Sequence, residues 1–223
     1  MTQNLAFLHT SHVLIPVFAG LAKDLLPGFE VFHMTDESLI RNTIRAEGLT
    51  RETTRRVAGL IGLANDGGAS AVMVTCSSIG AAVPIARLLY DFPIFRIDEA
   101  MAEAAVARGS RIGVAATLRT TLDPTMELLT DTAAAAGRAV EIIPALFEGA
   151  FEAVLAGNTE LHDSMVAEGL AELRTKADIV VLAQASMARV ISRLPEGGIP
   201  ILSSPELAVR RMQSILAAVP ATR

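Results

Sequence analysis

The chain has 223 residues, 51% of them hydrophobic and 19% charged, which suits one large folded domain or two small ones and excludes a disordered chain. A net charge of −5 gives no support for a nucleic-acid partner. The single cysteine excludes an internal disulfide and suits a reducing compartment. No apolar run reaches the roughly 20 residues of a membrane span, and no signal-peptide pattern opens the chain. We therefore expect a cytoplasmic protein without membrane contacts.

Strands and helices alternate through the first half of the predicted structure. Apolar β-rich runs predict strands over residues 5–10, 29–34, 71–75 and 93–97. Helical patterns cover residues 14–26, 50–65, 77–89 and 99–108. The polar, irregular segment 35–49 is interpreted as a long loop or lid.

The second half repeats the alternation. Strands are predicted over residues 112–116, 140–144, 179–184 and 199–203. Helices are predicted over residues 122–136, 147–156, 161–175, 186–194 and 205–218. This order is typical of an α/β protein whose mainly parallel sheets are covered by helices on both faces.

The two halves also resemble each other in spacing. Thr10 precedes Cys76 by 66 residues, and Thr117 precedes Gln184 by 67, each pair joining the ends of two apolar strands. We therefore predict two pseudo-symmetric lobes with a ligand site between them. The first lobe would comprise residues 1–97 and 205–223, and the second residues 98–204.

Ligands of parallel sheets bind beyond the carboxyl ends of the strands, which sets the candidate site residues. Most of the residues predicted at those ends are small and polar. They are Thr10, Ser11, His12, Thr75, Cys76, Ser77, Ser78, Thr117, Arg119, Thr120, Gln184, Ala185 and Ser186.

Cys76 is the candidate catalytic residue. It lies where a buried strand passes into a predicted helix, and a helix N-terminus favours the thiolate. A thiolate can take a proton from carbon or attack an electrophile. The alternative is a small buried core residue, which is common for free cysteine.

The segment from Thr117 to Thr121 offers hydroxyl and N–H donors for a carboxylate, with Arg119 as a charge partner. The alternative is a helix cap beside a solvated arginine. His12 is a candidate ligand contact or proton relay, whereas His9 fits a strand core. Asp36 and Asp98 could be acid/base groups, but helix capping is favoured.

Nucleotide-binding glycine motifs are absent, and no cysteine or carboxylate pattern completes a metal site around the histidines. We therefore expect no metal and no cofactor. The substrate would be a small molecule.

Several motifs of this sequence resemble those of the aspartate/glutamate racemase superfamily. They are Val74–Ser78 after a buried strand, the matching strand 180–182, the Ala116-Thr117-x-x-Thr120 turn and the repeat between the two halves. That group includes aspartate, glutamate and hydantoin racemases, maleate isomerase and arylmalonate decarboxylase. The resemblance implies cofactor-independent chemistry by two cysteines, one per lobe, on opposite faces of the substrate α-carbon. Cys76 matches the first. The second cysteine is expected in a Gly-Cys-Thr-His motif of the family. In this sequence Gln184 replaces that cysteine, and Ser186 replaces the histidine of the motif.

The resemblance leads us to expect a single-cysteine enzyme of the racemase/isomerase type, acting at the α-carbon of a small carboxylate or amino-acid-like substrate. A second proton donor would be His12 or a held water. One-sided chemistry, such as decarboxylation or cis–trans isomerisation, is the first alternative. The decarboxylase branch also has one sulfur, but in its second lobe. A non-catalytic carboxylate-binding protein is the second alternative. Symmetric assembly is common, so we expect a homo-oligomer.

Overall fold

The structure is a computed structural model that describes residues 3–195 and 197–218. Along the chain, strands and helices alternate as the sequence predicts. The elements up to the fourth strand are β1 (Gln3–His9), a 3₁₀ helix (His12–Leu14), α1 (Ile15–Leu25), β2 (Phe29–Thr35), α2 (Glu37–Arg45), α3 (Arg51–Asp66), β3 (Ala69–Val74), a 3₁₀ helix (Ser77–Ile79), α4 (Ala82–Arg87) and β4 (Ile94–Arg96).

The remaining elements repeat this succession. They are α5 (Glu99–Arg108), β5 (Arg111–Ala116), α6 (Arg119–Ala135), β6 (Glu141–Leu146), α7 (Ala150–Leu155), α8 (Thr159–Leu173), β7 (Ile179–Leu182), a 3₁₀ helix (Ala185–Arg193), β8 (Ile201–Ser203) and α9 (Ser204–Ala218).

The chain divides into two units, one comprising Met1–Ile97 with Pro205–Arg223 and the other Asp98–Ser204. The first unit holds a parallel sheet in the order β2-β1-β3-β4, and the second holds one in the order β6-β5-β7-β8. These sheets confirm the predicted α/β fold. They also extend the sequence repeat to topology, because corresponding strands occupy corresponding places in the two sheets.

The helices that close the two repeats are exchanged between the units. Helix α5 follows β4 but belongs to the second unit, and α9 follows β8 but belongs to the first. Within the first unit, Val209 and Met212 of α9 pack in one apolar cluster with Phe18 of α1. The first unit therefore depends on the far C-terminal helix for part of its core.

Strand β1 is apolar on both faces because helices cover both sides of its sheet. Ala6 and Leu8 point into a cluster with residues of α3 and α4. Leu5 and Phe7 point to the opposite face, among residues of α1 and α9. Burial at about 25 cal/mol per Å² of apolar surface makes this two-sided packing the main stabilising term of the sheet.

The prediction of a loop or lid over residues 35–49 is wrong, because the segment forms helix α2. Asp36 begins this helix as its N-cap, and its carboxylate accepts a hydrogen bond from the Ser38 N–H at 2.9 Å. Leu39 and Thr43, four residues apart, are fully buried on one side of the helix. The helical spacing of apolar residues is present in the segment, but the many polar residues around it led to the loop interpretation.

Two segments predicted as α-helices are wholly or partly 3₁₀ helix in the structure. Residues 77–89 form a 3₁₀ turn followed by the separate helix α4, and the predicted helix over residues 186–194 is a 3₁₀ helix that ends at Arg193. At the first of these turns Gly80 packs on the guanidinium of Arg96, where an added Cβ would lie 2.5 Å from Nε. Helix α6 begins three residues earlier than predicted, so Arg119 and Thr120 lie in its first turn.

No helix in the described ranges is both long and apolar enough to span a membrane.

Asp36 generates a stability prediction. Burial raises the pKa of its carboxyl, but hydrogen bonds from Ser38 and the Arg56 guanidinium outweigh that effect and hold the pKa below its usual value. Asp36→Ala removes the cap and should lower the free energy of unfolding by about 1–2 kcal/mol at pH 7. Asp36→Asn keeps a good cap and removes only the charge, so it should cost less. Urea denaturation measures both.

The two variants should also differ in pH dependence. Since the folded pKa of Asp36 lies below the unfolded value of about 3.9, its charge stabilises the protein fully above that pH. This contribution is lost as the pH falls through the folded pKa, so the wild type should converge on Asp36→Asn in acid. Asp24→Asn, on the exposed side of α1, is the control. A gap between wild type and Asp36→Asn that is constant with pH would contradict this account.

Candidate active site

The carboxyl ends of β1 and β3 bring Thr10 and Cys76 together in the first unit. The strands are parallel neighbours, and the Thr75 N–H donates to the Leu8 carbonyl at 3.0 Å just beyond the last ladder pair. This bond aligns the carboxyl ends of the two strands. As a result, the Thr10 hydroxyl faces the sulfur of Cys76. Thr10 is itself buried, with 4% of its surface exposed.

Burial raises the pKa of the Cys76 thiol above its ordinary value. Four hydrogen-bond donors face the sulfur and oppose the rise: the hydroxyls of Thr10 and Ser78 and the backbone N–H groups of Ser78 and Ile79. The Ile79 N–H also donates to the Cys76 carbonyl at 3.3 Å, so its hydrogen bond is shared between that carbonyl and the sulfur. At neutral pH the group therefore rests as a thiol, inside a donor set that can hold a thiolate once the proton has left.

This result corrects the expectation that a helix N-terminus favours the thiolate at Cys76. The following turn, Ser77–Ile79, is a three-residue 3₁₀ helix and not the start of a long α-helix. So short a helix has little macrodipole, and desolvation prevails. The residue is not sealed in the core, however, since it keeps an intermediate exposure at the edge of the cluster with α3 and α4.

The other strand-end residues of the first unit differ in their exposure. Ser77 and Ser78 are buried, and Ser11 is partly exposed. His12 lies on the surface, where its Nδ1 is 2.6 Å from the Glu37 carboxylate. His12 is thus engaged with α2 and not with the thiol, and Glu37 is a partner that the sequence analysis did not identify.

Gln184 occupies in the second unit the position that Cys76 occupies in the first. The Ala183 N–H donates to the Ala115 carbonyl at 2.9 Å, repeating the bond between Thr75 and Leu8. Gln184 Oε1 then accepts from the Thr117 N–H at 2.6 Å, and both amide atoms lie within 3.0 Å of the Thr117 hydroxyl. The pairs Thr10–Cys76 and Thr117–Gln184 therefore occupy equivalent positions at the ends of the central strands. They differ in that the first contains a thiol and the second an amide.

The N-terminus of α6 lies beside this pair and has no side-chain cap. Leu118 is its N-cap residue and provides no side-chain cap, and no acidic side chain lies in the first turn. The Thr120 hydroxyl is buried and has no hydrogen-bond partner among the described residues. Arg119 points to solvent and pairs with Asp123 at 3.5 Å, which matches the solvated-arginine alternative.

A buried carboxylate and two partly exposed arginines hold the 3₁₀ helix that follows Gln184. Asp163, 1% exposed, accepts two bonds from the Arg189 Nε at 2.9 and 3.2 Å and also pairs with Arg193 at 3.1 Å. His162 lies 2.8 Å from the same carboxylate. The two arginines are four residues apart, so they fix the helix that carries Ala185 and Ser186, both partly exposed. The arginine spacing was a visible signal, but the carboxylate lies far away in the sequence.

Two further residues considered in the sequence, Asp98 and His9, also have defined positions in the structure. Asp98 stands at the N-cap position of α5, yet its side chain makes no capping bond, so that prediction is wrong. His9 is fully buried in the strand, as expected, and its ring contacts the Thr75 hydroxyl and His33. In the described ranges no three His, Cys, Asp or Glu side chains converge in a group that could hold a metal ion.

Comparison with solved structures shows the fold of racemases. A glutamate racemase from Bacillus anthracis matches with a TM-score of 0.75 at 16% identity, over 96% of this chain and 82% of its own. An aspartate racemase from Picrophilus torridus matches with a TM-score of 0.73 at 10% identity, over 96% of this chain and 94% of its own. An allantoin racemase from Klebsiella pneumoniae gives 0.68 at 18% identity, over 96% and 88%.

A search of curated protein sequences gave no match. The sequence model of the Asp/Glu/hydantoin racemase family, in contrast, matches residues 10–212, a span that includes every candidate residue described above. The match confirms the resemblance drawn from the motifs around Cys76 and Thr117. This chain belongs to the Asp/Glu/hydantoin racemase family.

Proposed function

We propose that this protein is a cofactor-independent enzyme of the racemase/isomerase type that moves a proton at the α-carbon of a small carboxylate or amino-acid-like substrate. Cys76 is its one sulfur acid/base. The observation that carries the proposal is the environment of Cys76, a desolvated thiol faced by four hydrogen-bond donors. Family membership supports the reaction class.

The resting thiol is suited to give a proton to carbon. When it does so, the negative charge moves to sulfur, where the Thr10 and Ser78 hydroxyls and the turn N–H groups stabilise it. The resulting thiolate is desolvated and therefore a strong base toward a carbon acid. The same group can then take a proton back from the α-carbon, which is the half-reaction a racemase needs on one face.

Within the second unit, the start of α6 offers hydrogen-bond donors that suit a carboxylate. Backbone N–H groups at the uncapped start of α6 favour an anion, and the buried Thr120 hydroxyl needs a partner. We infer that a carboxylate oxygen supplies it. Gln184 and Thr117 hold each other, so they act as a rigid neighbouring wall, with Ser186 beside them.

One-sided proton transfer is the second candidate, and Gln184 favours it. Racemisation needs an acid on one face and a base on the other, but an amide supplies neither. His12, bonded to Glu37 on the surface, would have to change partner to help. In a one-sided reaction the substrate loses carbon dioxide, the electron pair of the broken bond forms an enolate, and the Cys76 thiol protonates it. Water then returns the proton to sulfur.

Cellular setting and assembly extend the proposal. A lone cysteine that must stay reduced for chemistry favours the cytoplasm. Two-fold assembly is the commonest arrangement among soluble oligomers, so we expect a homo-oligomer, which sedimentation would measure.

Replacing Cys76 should abolish the chemistry. Since a positioned general acid/base contributes about 10²- to 10⁴-fold, Cys76→Ala should lower the rate by at least that range, and Cys76→Ser nearly as much. Exchange of the α-hydrogen in D₂O, followed by NMR across a panel of amino acids, hydantoins and substituted malonates, measures the rate. Ser164→Ala, exposed on α8, is the control and should retain full activity.

Full activity in Cys76→Ala would remove the sulfur from the mechanism. A panel ligand that raises the melting temperature of Cys76→Ala as much as that of the wild type, with no turnover of any ligand by the wild type, would instead identify a carboxylate-binding protein.

Thr120→Val should separate binding from stability. The Thr120 hydroxyl has no partner among the described residues, so its loss should leave the free energy of unfolding unchanged or raise it by up to about 1 kcal/mol. If a substrate carboxylate is its partner, KM should rise about tenfold. Thr125→Val is the matched control, because the fully buried Thr125 hydroxyl donates to the Thr121 carbonyl and its loss should destabilise. An unchanged KM in Thr120→Val would contradict the carboxylate subsite.

The stereochemistry of labelling distinguishes the two candidates. In D₂O a racemase places deuterium in both enantiomers of its substrate, whereas a one-sided enzyme labels a single face of its product. Gln184→Cys restores a second sulfur, so it should add labelling of the second enantiomer if one-sided transfer is the native reaction. Gln184→Glu still accepts from Thr117 and controls for loss of that contact. Labelling of both enantiomers by the wild type would exclude the one-sided candidate.

A further inference from the structure

A chain of hydrogen-bonding side chains crosses the α1 face of the first unit's sheet, away from the helices that flank Cys76. The His9 Nδ1 lies 2.7 Å from the Thr75 hydroxyl, and the His9 Nε2 lies 2.9 Å from the His33 Nδ1. Phe7 stacks on both histidine rings, and Phe18 packs at a tilt against His9, with Phe–His ring centroids 5.5–6.3 Å apart. These contacts hold the orientation of the imidazoles. The Thr75 hydroxyl in turn donates to the Leu8 carbonyl at 3.0 Å.

This arrangement has two complete hydrogen-bond patterns. Desolvation, followed by the proximity of His33, lowers the pKa of His9 to about 4, and burial lowers the pKa of His33, so both rings are neutral at pH 7. If the Thr75 hydroxyl donates to Leu8, His9 must donate from Nδ1, and His33 must donate to His9 from Nδ1. The His33 Nε2 then carries a lone pair.

In the opposite pattern the Thr75 hydroxyl donates to the His9 Nδ1, the His9 Nε2–H donates to His33, and the His33 Nε2 carries a hydrogen. Each pattern contains three hydrogens, one on each ring and one on the hydroxyl. To pass from the first pattern to the second, each ring loses the hydrogen on Nδ1 and gains one on Nε2, which exchange with water can supply. A group bonded to the His33 Nε2 therefore selects between the two patterns.

The His33 end of the chain opens into a cavity. A pocket of about 280 Å³ lies between α1 and the edge strand β2, and His33 forms part of its wall. Ala19, Ala22 and Val31 contribute apolar wall, and Lys23 adds a positive charge. The His33 Nε2 contacts no hydrogen-bond partner in the described ranges and is not a buried atom. It is thus a polar group at an apolar wall, near a cation.

We propose that this cavity is a second ligand site, which takes a small carboxylate with an apolar body, and that its occupant sets the direction of the His33–His9–Thr75 chain. The apolar body rests on α1 and Val31. The carboxylate accepts from the His33 Nε2–H and pairs with Lys23. Binding releases the Thr75 hydroxyl from Leu8, one residue before Cys76, so the occupant acts on the strand end that places the thiol.

Butyrate is the probe, with butyramide as its uncharged counterpart. The sequence contains four histidines, so ¹⁵N NMR of ring nitrogens can follow each one. Butyrate should bind saturably and move the hydrogen from Nδ1 to Nε2 on both His33 and His9. His12 and His162 should not respond, and butyramide should bind more weakly.

Three variants locate the effect. Lys23→Met keeps the aliphatic stem on the exposed side of α1 and should weaken butyrate binding about 2- to 5-fold. His33→Phe keeps the ring and should weaken it about tenfold or more and abolish the response of His9. Cys76→Ser should bind butyrate as the wild type does, which separates this cavity from the proposed reaction site.

Butyrate binding to these variants tests whether the cavity is a second ligand site. Should His33→Phe fail to fold, Lys23→Met decides alone, because its side chain is exposed. Binding that is equal in wild type and Lys23→Met, or that is lost in Cys76→Ser, would overturn the second site. Binding that leaves the His9 tautomer unchanged would overturn the coupling to Thr75.

Discussion

The pairing of the two central strands in each unit is the constraint on which the site depends. In the first unit the Thr75 N–H bonds to the Leu8 carbonyl, and in the second the Ala183 N–H bonds to the Ala115 carbonyl. Each bond continues a parallel ladder by one step beyond the regular strands. The residue that follows is then held beside the end of the neighbouring strand. This geometry places Cys76 next to Thr10 and Gln184 next to Thr117.

The same backbone frame therefore carries two different chemistries. Around Cys76, burial keeps the proton on sulfur, while the hydroxyls and N–H groups that face it can stabilise the charge left behind. Around Gln184, an amide bonds to Thr117 through both of its polar atoms and is too weak an acid and too weak a base for proton transfer at carbon. The repeated topology provides two equivalent positions, and one side chain at each decides whether acid/base chemistry is available there. This asymmetry separates the chain from the two-cysteine pattern that its family resemblance implied.

The polar groups of the first unit serve two faces of one sheet. Thr10 and Cys76 lie on the side of α3 and α4, whereas His9, His33 and Thr75 lie on the side of α1. Because side chains alternate along a strand, the adjacent residues Thr75 and Cys76 necessarily point to opposite faces. The proposed reaction site on one face and the proposed ligand site on the other can therefore share a strand end without sharing a side chain.

The sequence by itself determined the alternation of strands and helices, the repeat and the residues at the strand ends, because these features depend on local periodicity and spacing. It also predicted the family, through the motif around Cys76 and the Thr117 turn. Helix α2 was missed although its helical spacing is present in the sequence, because polar residues dominate the segment. The 3₁₀ turn after Cys76 was also missed, because there Gly80 meets Arg96 from another strand. The state of the thiol, the bond between Gln184 and Thr117, and the His9–His33 contact were decided only by the tertiary structure. Each depends on burial, or on partners more than 20 residues away, which local sequence patterns do not encode.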